Sequence, residues 1–439
     1  MNQTGTLRAL KDGAYDSLLQ QMYACSGDAL DPYRQRLIDA VTAFGEEFGT
    51  DRDILLFSAP GRTELCGNHT DHQNGCVLTG SVNLDIIAVV AKRDNNKIRL
   101  KSRGRLMDCV ELTDLSVQPD EQGSAAALLR GIAARFRSMG VPVGGFDAYT
   151  TSDILQGSGL ASSAAFEVLC AKVCSALYAE DKLDAVTLAQ IGQYAENVYF
   201  GKPCGLMDQM GCAIGGVIAI DFQSAMPTVT RTDVDLTKEG YALCILDTGA
   251  DHTGLTDAYA AVPAEMCAVA KVLGVPVLSG TNREALLAKL PEVREQCGDR
   301  AVLRALHFFS ENARVKRAVH SLKSGYFSQY LEEIKASGRS SAEYLQNCST
   351  FEDPRKQEVV FTIALCSALL HGRGAVRVHG GGFAGTVQAY VPLDMLEDFR
   401  EQTEHVLGEG HCHVVKLRSI GVTELRPSVK PFRAMSDHI

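Results

Sequence analysis

This sequence lacks an apolar run of 18 residues, a long basic run and any C-x-x-C pair. The first absence argues against a membrane-spanning helix. The second, together with a formal net charge of −10, argues against nucleic acid or an anionic membrane as the main partner. Without a C-x-x-C pair, zinc-ribbon and thioredoxin-like sites lose their support. The polar N-terminus has no signal-peptide core, so we expect a cytoplasmic protein.

The 439 residues are enough for two or three domains with cores of their own. Their composition, 46% hydrophobic and 22% charged, is that of an ordinary soluble globular protein. Fourteen cysteines are scattered along the chain, and many lie in apolar segments, where cysteine behaves as a small hydrophobic residue. We therefore predict reduced, mostly buried thiols, with Cys170, Cys174, Cys244 and Cys366 as examples.

Hydrophobic periodicity and turn residues predict a mixed α and β chain without internal repeats. Residues 1–30 are interpreted as an N-terminal arm, followed by an N-terminal domain at 31–225 and a C-terminal domain at 226–439. A strand at 54–59 is expected to stop at Pro60-Gly61. A strand at 84–92 is expected to form a hairpin with 98–101. Helices are expected near 31–48, 125–139, 187–200, 256–273, 283–290, 299–322, 326–336 and 357–370, and further strands near 145–149, 217–222, 241–246, 375–378 and 386–391.

A small, glycine-rich stretch directly precedes apolar residues at helical spacing. A glycine-rich turn that opens a helix presents unpaired N–H groups and the positive end of the helix dipole, which together attract phosphate. The stretch is not a Walker A loop, because no lysine follows its glycines, and it does not match the dinucleotide fingerprint. A tight loop capped by serines before a core helix is an equally simple explanation. The stretch consists of Gly157, Ser158, Gly159, Leu160, Ala161, Ser162 and Ser163.

Hydrogen-bonding side chains crowd into the segment 59–74, directly after a predicted strand. Its arginine, Arg62, offers a fork of donors that suits phosphate oxygens. The other polar residues form the kind of cluster that a polyhydroxylated ligand needs. A metal site is less favoured, because three ligands this close in one loop seldom face one ion. These other residues are Glu64, Asn68, His69, Asp71 and His72.

Two carboxylates and a second glycine cluster complete the candidate chemistry. Asp208 lies among apolar neighbours, where a carboxylate is either a buried structural acceptor or an acid–base group with a tuned pKa. Glu196 precedes it by twelve residues and could reach a cation from the preceding predicted helix. The glycine cluster, 380–385, is either a tight turn or backbone that lies close to a phosphate or sugar.

Four motifs in this order resemble those of the GHMP superfamily of small-molecule kinases, and within it the galactokinase family. The family motif P-G-R-x-N-L-I-G-E-H-x-D-Y is matched by 60–72, and P-x-G-x-G-L-S-S-S-A by 155–164. The galactokinase segment C-G-I-M-D-Q is matched by 204–209, and G-G-G-F-G-G by 380–385. The resemblance implies an α+β chain with an N-terminal α/β domain, a ferredoxin-like C-terminal domain and the site between them.

The activity implied by the resemblance is phosphoryl transfer from ATP, with Mg²⁺, to the anomeric hydroxyl of a sugar such as galactose. Asp208 matches the catalytic base, and Arg62 the arginine that stabilises charge in the transition state. Ser163 and Glu196 match Mg²⁺ ligands, and 157–163 match the triphosphate cradle. The chain has no tryptophan, and no adenine-stacking residue is predicted. The positions that match sugar-binding residues are Asn68, His69, Asp71, Gly205 and Tyr259.

The chain departs from the first family motif at three positions. Glu64 stands where the motif has Asn, Asn68 where it has Glu, and His72 where it has Tyr. In the family that Glu accepts a hydrogen bond from the 6-hydroxyl of the sugar. Asn68 removes a negative charge and adds donors, so we hypothesise that the pocket accepts another group there, for example a uronate carboxylate.

The phosphate motif also departs, with Leu155 in place of Pro and Ala161 in place of the first Ser. Ser162 and Ser163 remain, so we expect nucleotide binding to persist. Three alternatives stay open: a kinase for a related sugar such as galacturonate or an N-acetylhexosamine, a kinase for a non-sugar alcohol, and a sugar sensor without activity. The segment 204–209 argues against the second, and the retained motif residues argue against the third. We expect a monomer or weak homodimer.

Overall fold

The structure, a computed structural model, describes residues 1–155, 157–224, 226–232, 234–250, 254–350 and 353–428. Fourteen α-helices and twelve β-strands form in this described part of the chain. The helices are α1 (Gln3–Lys11), α2 (Asp16–Tyr23), α3 (Asp31–Phe48), α4 (Ala125–Ser138), α5 (Ser162–Tyr178), α6 (Ala185–Ala195), α7 (Met207–Ile214), α8 (Thr256–Val272), α9 (Arg283–Ala288), α10 (Leu290–Cys297), α11 (Asp299–Lys323), α12 (Phe327–Ser340), α13 (Glu358–Leu369) and α14 (Leu396–Leu407). The strands are β1 (Leu55–Cys66), β2 (Cys76–Lys92), β3 (Lys97–Ser102), β4 (Met107–Glu111), β5 (Phe146–Ser152), β6 (Val217–Asp221), β7 (Thr228–Thr232), β8 (Tyr241–Asp247), β9 (Ala375–His379), β10 (Thr386–Pro392), β11 (Cys412–Val415) and β12 (Thr423–Leu425).

The first sheet has eight strands and is covered on both faces. Its order is β12-β1-β2-β5-β3-β4, with β6 beside β2 and β7 beside β6. Alternate side chains of β1 and β2 point to opposite faces. Phe57 and Val90 pack into the core that holds α4 to α7. Leu56 and Val89 pack into a second core with the N-terminal helices α1 to α3.

The second sheet has four antiparallel strands in the order β11-β8-β10-β9. If β8, β9, β10 and β11 are numbered 1 to 4, the order is 4-1-3-2. Helices connect β8 to β9 and β10 to β11. This is the ferredoxin-like arrangement that the resemblance implied. Its helices α11 and α12 pack against strands of the first sheet, which brings the two sheets together around the segment 60–72.

Two expectations about strands are wrong. The strand β1 does not stop at Pro60 but continues to Cys66, because a shift in register between Pro60 and Arg62 accommodates the proline within the β1–β2 pair. The strand β3 does not form a hairpin with β2, because β5 lies between them, antiparallel to β2 and parallel to β3. The turn residues predicted a reversal of the chain but not its pairing partner.

Most of the expected helices form within one or two residues of their predicted ends, including α3, α4, α8, α11 and α13. Two strands from the expected C-terminal domain, β7 and β12, belong instead to the first sheet, so the sheets do not divide at residue 226. All fourteen cysteines are free, and most are buried, as expected. Among the described residues, no helix combines the length and apolar character needed to cross a membrane.

Candidate active site

Arg62 lies where β1 meets the glycine-rich loop. The N–H of Arg62 donates to the carbonyl of Leu160 at 3.0 Å. The preceding residue, Gly61, has no room for a side chain, because a Cβ there would be 2.7 Å from the same carbonyl oxygen. The bare backbone at Gly61 therefore lets the strand lie directly against the loop.

The guanidinium of Arg62 joins that loop to Asp208. Its Nη2 and Nε donate to Oδ1 of Asp208 at 2.6 and 2.9 Å, and its Nη1 donates to the carbonyl of Gly159. Asp208 lies in the first turn of α7, where the helix dipole favours a carboxylate. Its side chain remains 37% exposed, and no hydrogen bond among the described residues uses its Oδ2. That oxygen is available to a hydroxyl group.

The loop before α5 has the conformation expected of an anion cradle. Gly157, Gly159 and Ala161 all have positive φ, at 75°, 69° and 58°. The helix α5 then begins at Ser162 with no side-chain cap on its first turn. An uncapped helix start with glycine-rich backbone before it presents N–H donors to an anion. The predicted phosphate loop is thus a turn in front of a helix.

A hydroxyl, a carboxylate and an ammonium group lie together beside this helix start. Ser163 Oγ donates to Oε1 of Glu196 at 3.3 Å, and Lys202 Nζ lies 3.3 Å from the same oxygen. Glu196 opens a π-helical turn, 196–200, that continues α6 and turns its carboxylate towards α5. Such turns frequently mark functional sites. The structure therefore brings together Ser163 and Glu196, which are far apart in the sequence.

Sequence reasoning did not find the groups behind this cluster. The Nε2 of Gln209 donates to both Glu167 Oε2 and Glu196 Oε2, at 2.9 Å each. Burial, and then the charge of Glu196, raise the pKa of Glu167. One oxygen of Glu167 and the amide oxygen of Gln209 are buried without a partner among the described residues. The only sequence signal was the position of Glu167 one helical turn after Ser163, a spacing that also suits a core position.

On the other side of Arg62, His69 and Asp71 form the polar loop between β1 and β2. His69 Nε2 lies 2.9 Å from the carbonyl of Gly381, in the second glycine cluster. Burial lowers the pKa of His69, so the ring is neutral and Nε2 carries the hydrogen that it donates to this carbonyl. His69 itself has a φ of 55°. The loop is thereby held against the glycine cluster.

Asp71 lies against the segment that leads into α7. A Cβ on Gly205 would be 1.9 Å from Oδ2 of Asp71, so a larger residue at this position would displace the Asp71 carboxylate. Burial, and then the negative charge of Asp208, raise the pKa of Asp71 to about 6. The predicted sugar-binding residues Asp71 and Gly205 are thus in contact with each other and close to the predicted base.

Two other predicted sugar-binding residues are engaged within the protein. Tyr259 donates from its hydroxyl to the carbonyl of Gly382 at 2.7 Å, and its ring packs edge-on against Phe383 with centroids 5.2 Å apart. Asn68 is completely buried, and both ends of its amide are hydrogen-bonded to protein groups. Direct contact between Asn68 and a ligand, expected from the sequence, is therefore not available in this structure.

His379 connects the second sheet to the phosphate loop. Thr386 Oγ1 donates to the carbonyl of Ser158 at 2.8 Å, so it accepts from His379 Nδ1, which lies 2.9 Å away. The other ring nitrogen, Nε2, is 3.0 Å from Oγ1 of Thr63. Burial, followed by the charge of Arg62, lowers the pKa of His379 to about 3, so the ring is neutral and Nε2 accepts. This contact was missed because its residues come from distant segments.

A cavity of about 920 Å³ extends from Ser162 and Ser163 along the first domain. Its walls come from α4, α5 and the turn between β3 and β4. The turn contributes Leu106, whose side chain is 89% exposed. Two aromatic side chains, Phe166 and Phe200, and two basic ones, Arg103 and Arg105, also line it. A flat, partly apolar ligand that carries phosphates fits this combination of cavity and loop.

The comparisons with known proteins agree with this geometry. Residues 126–216 match the family model of the GHMP kinases N-terminal domain, and residues 42–92 match the galactokinase galactose-binding signature. The crystal structure of Lactococcus lactis galactokinase complexed with galactose superposes with a TM-score of 0.76 at 23% identity, covering 88% of this chain and 99% of that one. The Methanococcus jannaschii mevalonate kinase superposes with a TM-score of 0.57 at 13% identity, covering 84% and 98%.

The two-sheet fold and the glycine-rich loop thus define a kinase of the GHMP superfamily. A galactokinase from Streptomyces coelicolor (strain ATCC BAA-471 / A3(2) / M145) is 32% identical over 348 residues, which cover 78% of this chain and 86% of that protein. The chain belongs to the galactokinase family.

Proposed function

We propose that the protein transfers the terminal phosphoryl group of ATP to the anomeric hydroxyl of a hexose, and that galactose is its acceptor. The observation that carries this proposal is the position of the Arg62–Asp208 pair, between an uncapped helix start suited to phosphates and a polar loop suited to a sugar. Membership of the galactokinase family supports the choice of acceptor.

In the proposed reaction the sugar hydroxyl donates to Asp208, whose Oδ2 has no other hydrogen bond among the described residues. Asp208 orients the hydroxyl and accepts its proton as the bond from the hydroxyl oxygen to the γ-phosphorus of ATP forms. The bond between that phosphorus and the bridging oxygen breaks, and ADP leaves with the bonding electron pair. Arg62 holds Asp208 in place and presents its positive charge to the phosphoryl group in transit. Positioning and charge neutralisation supply most of the catalysis in phosphoryl transfer, so these two residues suit the task.

Ser163 and Glu196 fit a Mg²⁺ ion that accompanies the nucleotide. Their oxygens are hard ligands and lie 3.3 Å apart, close to the separation of neighbouring ligands around one octahedral ion. Mg²⁺ in kinases is held by one or two protein oxygens together with substrate phosphates, so a larger protein cage is not required. The bound ion would neutralise charge on the phosphates. Lys202, beside Glu196, adds a further cation.

The cavity beside Ser163 is the proposed site of the nucleotide base. Phosphates on the loop 157–163 would direct the rest of the nucleotide along α5 towards Phe166, Phe200 and Leu106. Aromatic and aliphatic walls suit a purine, and Arg103 and Arg105 at the turn suit additional phosphate or ribose contacts. This assigns the base to residues that the sequence alone did not indicate.

Two alternatives are kept because of the changed sugar motif. One is the same reaction on a related sugar, such as galacturonate or an N-acetylhexosamine, since Asn68 and His72 differ from the family motif. The other is a sugar sensor without activity. The Arg62–Asp208 pair and the uncapped loop are the features that a sensor could lose, and both are present. They favour an enzyme. A cytoplasmic location and a monomer or weak homodimer remain predictions.

The test is ATP-dependent phosphorylation of a panel of free hexoses, uronates and N-acetylhexosamines in the presence of Mg²⁺. Galactose is expected to be the best acceptor. A preference for galacturonate would keep the reaction and change the substrate. No turnover on any sugar, with sugar binding still measurable by calorimetry, would reject the kinase in favour of the sensor.

A further inference from the structure

Asn68 is enclosed by partners on every side. Its Nδ2 donates to the two carboxylate oxygens of Glu64, both at 3.1 Å, and to the carbonyl of Gly380 at 2.7 Å. Its Oδ1 accepts from Asn347 Nδ2 at 2.8 Å and from Ser341 Oγ at 3.2 Å. A primary amide has two hydrogens on nitrogen and two lone pairs on oxygen, so these contacts use its full capacity. A residue with only acceptors could not replace it.

A buried arginine, Arg377, explains why an acid is needed at position 64. Arg377, on β9, is completely buried and donates from Nη2 to Glu64 Oε1 at 2.5 Å and from Nη1 to the carbonyl of Leu65 at 2.8 Å. A buried guanidinium without a carboxylate partner is strongly destabilising. Arg377 therefore requires an acid at position 64, and the acid in turn requires a donor at position 68.

The same pair fixes the loop that carries the predicted sugar-binding residues. The carbonyl of Asn68 accepts from His307 Nε2 at 2.9 Å, and the next residue, His69, donates to Gly381. Asn347 Nδ2 also donates to the carbonyl of Gly381, at 3.0 Å. Asn68 thus lies at the point where the loop before Asp71, the glycine cluster and the helices of the second domain meet.

Two of the three departures from the first family motif, Glu64 and Asn68, are the two members of this pair. The motif has Asn at position 64 and Glu at position 68, and this chain has the same two residue types in exchanged positions. Because the two side chains contact each other, the amide at position 68 complements the carboxylate at position 64. These two departures are therefore one coupled change in the interior of the protein, and His72 remains the separate third departure.

We propose that Glu64 and Asn68 form one buried positioning unit, which holds the loop of His69 and Asp71 in its sugar-binding geometry without touching the sugar. The inference rests on the proposed function, because it assigns the loop to sugar binding. It makes Asn68 a positioning residue, and it attributes any unusual choice of sugar to other residues of the loop.

A double-mutant cycle with isosteric changes tests the pair. Asn68→Asp places a second carboxylate against Glu64 and against the carbonyl of Gly380. Glu64→Gln removes the charge but keeps the shape. In the double variant the amide is at position 64 and the carboxylate at position 68. The glutamine donates to the aspartate, so the pair again has one donor and one acceptor. The readouts are the midpoint of thermal unfolding, the KM for galactose and the KM for ATP.

We expect Asn68→Asp alone to lower the unfolding midpoint and to raise the galactose KM. The double variant should recover about tenfold or more of that loss in KM, because the repulsion between two carboxylates is removed, with the ATP KM nearly constant throughout. Its unfolding midpoint should stay below that of the parent protein, because Arg377 has lost its carboxylate partner. Additive effects on unfolding would overturn the pair as a unit. If the effects on the unfolding midpoint were non-additive but the galactose KM were unchanged in every variant, the positioning role of the pair would be overturned.

Ser341→Ala provides a milder variant if Asn68→Asp does not fold. It removes one hydrogen bond from Asn68 Oδ1 and is expected to raise the galactose KM severalfold without affecting the ATP KM; an unchanged galactose KM contradicts the proposal. The unfolding cycle needs no substrate, so it tests the pair even if galactose is not the acceptor. In that case the KM values are measured with the sugar that the panel identifies.

Discussion

The two sides of the proposed active site, one assigned to phosphate and the other to sugar, are built differently. The phosphate side consists largely of contiguous chain, the loop 157–163 and the start of α5, and it opens into a wide cavity. The sugar side is assembled from segments hundreds of residues apart, since Glu64 meets Arg377 and His69 meets Gly381. We therefore expect the phosphate side to tolerate isolated changes such as Ala161, and the sugar side, which is built from interlocked partners, to require compensating changes.

The largest expected effect is on kcat, and it comes from Asp208, which lies between the two sides. Asp208→Asn keeps an acceptor for Arg62 but removes the base, so kcat should fall by about 10²–10⁴. Binding of ATP and of sugar, measured separately by calorimetry, should change little. As a matched control, Asp398→Asn, an exposed acid in the first turn of α14, should retain full activity. Comparable turnover in the Asp208 variant would refute its assignment as the base.

The next effect separates the two sides. In Gly205→Ala the new Cβ would lie 1.9 Å from Asp71 Oδ2, so the carboxylate must move. Loss of hydrogen bonds between a carboxylate and sugar hydroxyls should raise the sugar KM by about 10- to 100-fold, and the ATP KM should hardly change. Gly280→Ala, where the nearest atom is 3.3 Å from the new Cβ, is the control. Equal changes in both KM values would mean that the two sides are not separable.

The pH dependence of sugar turnover should distinguish the two sides by a smaller effect. With a pKa of about 6, Asp71 is ionised above that pH, the form that would accept hydrogen bonds from sugar hydroxyls in its proposed role. Below pH 6 it becomes protonated, and kcat/KM for the sugar should fall by up to about tenfold per pH unit. The KM for ATP should not follow this titration. A sugar profile that stays flat down to pH 5 would exclude Asp71 as a sugar acceptor.

The same pKa has a consequence for stability. The folded-state pKa of Asp71 is raised from 3.8, so its contribution to the free energy of unfolding is greatest below pH 4 and is lost as the pH rises through 6. At pH 8 the ionised carboxylate therefore destabilises the fold. Asp71→Asn should raise the midpoint of thermal unfolding at pH 8 while weakening sugar binding.

The sequence predicted what is local or covered by a motif. The helices follow from periodicity and the ferredoxin-like domain from the resemblance, whereas the contacts of Arg62 with Gly159 and Leu160 were found only in the structure. The partners of Asn68 did not, because its position in a motif suggested a ligand contact, whereas tertiary packing surrounds it with Asn347 and Ser341. The roles given to the site residues remain predictions, even where the structure brings those residues together.

The cavity proposed for the nucleotide base was missed for a related reason. The smallest expected effect comes from a substitution in this cavity. Leu106 lies on the turn between β3 and β4, and nothing in its local sequence marks it, yet it is an exposed apolar side chain at the rim of the cavity. Leu106→Ser should raise the ATP KM by about fivefold, corresponding to roughly 1 kcal/mol of lost apolar contact. The sugar KM should stay constant. The control is Leu287→Ser on α9, which is also exposed but does not line the cavity; if both variants behaved alike, the base would have to bind elsewhere.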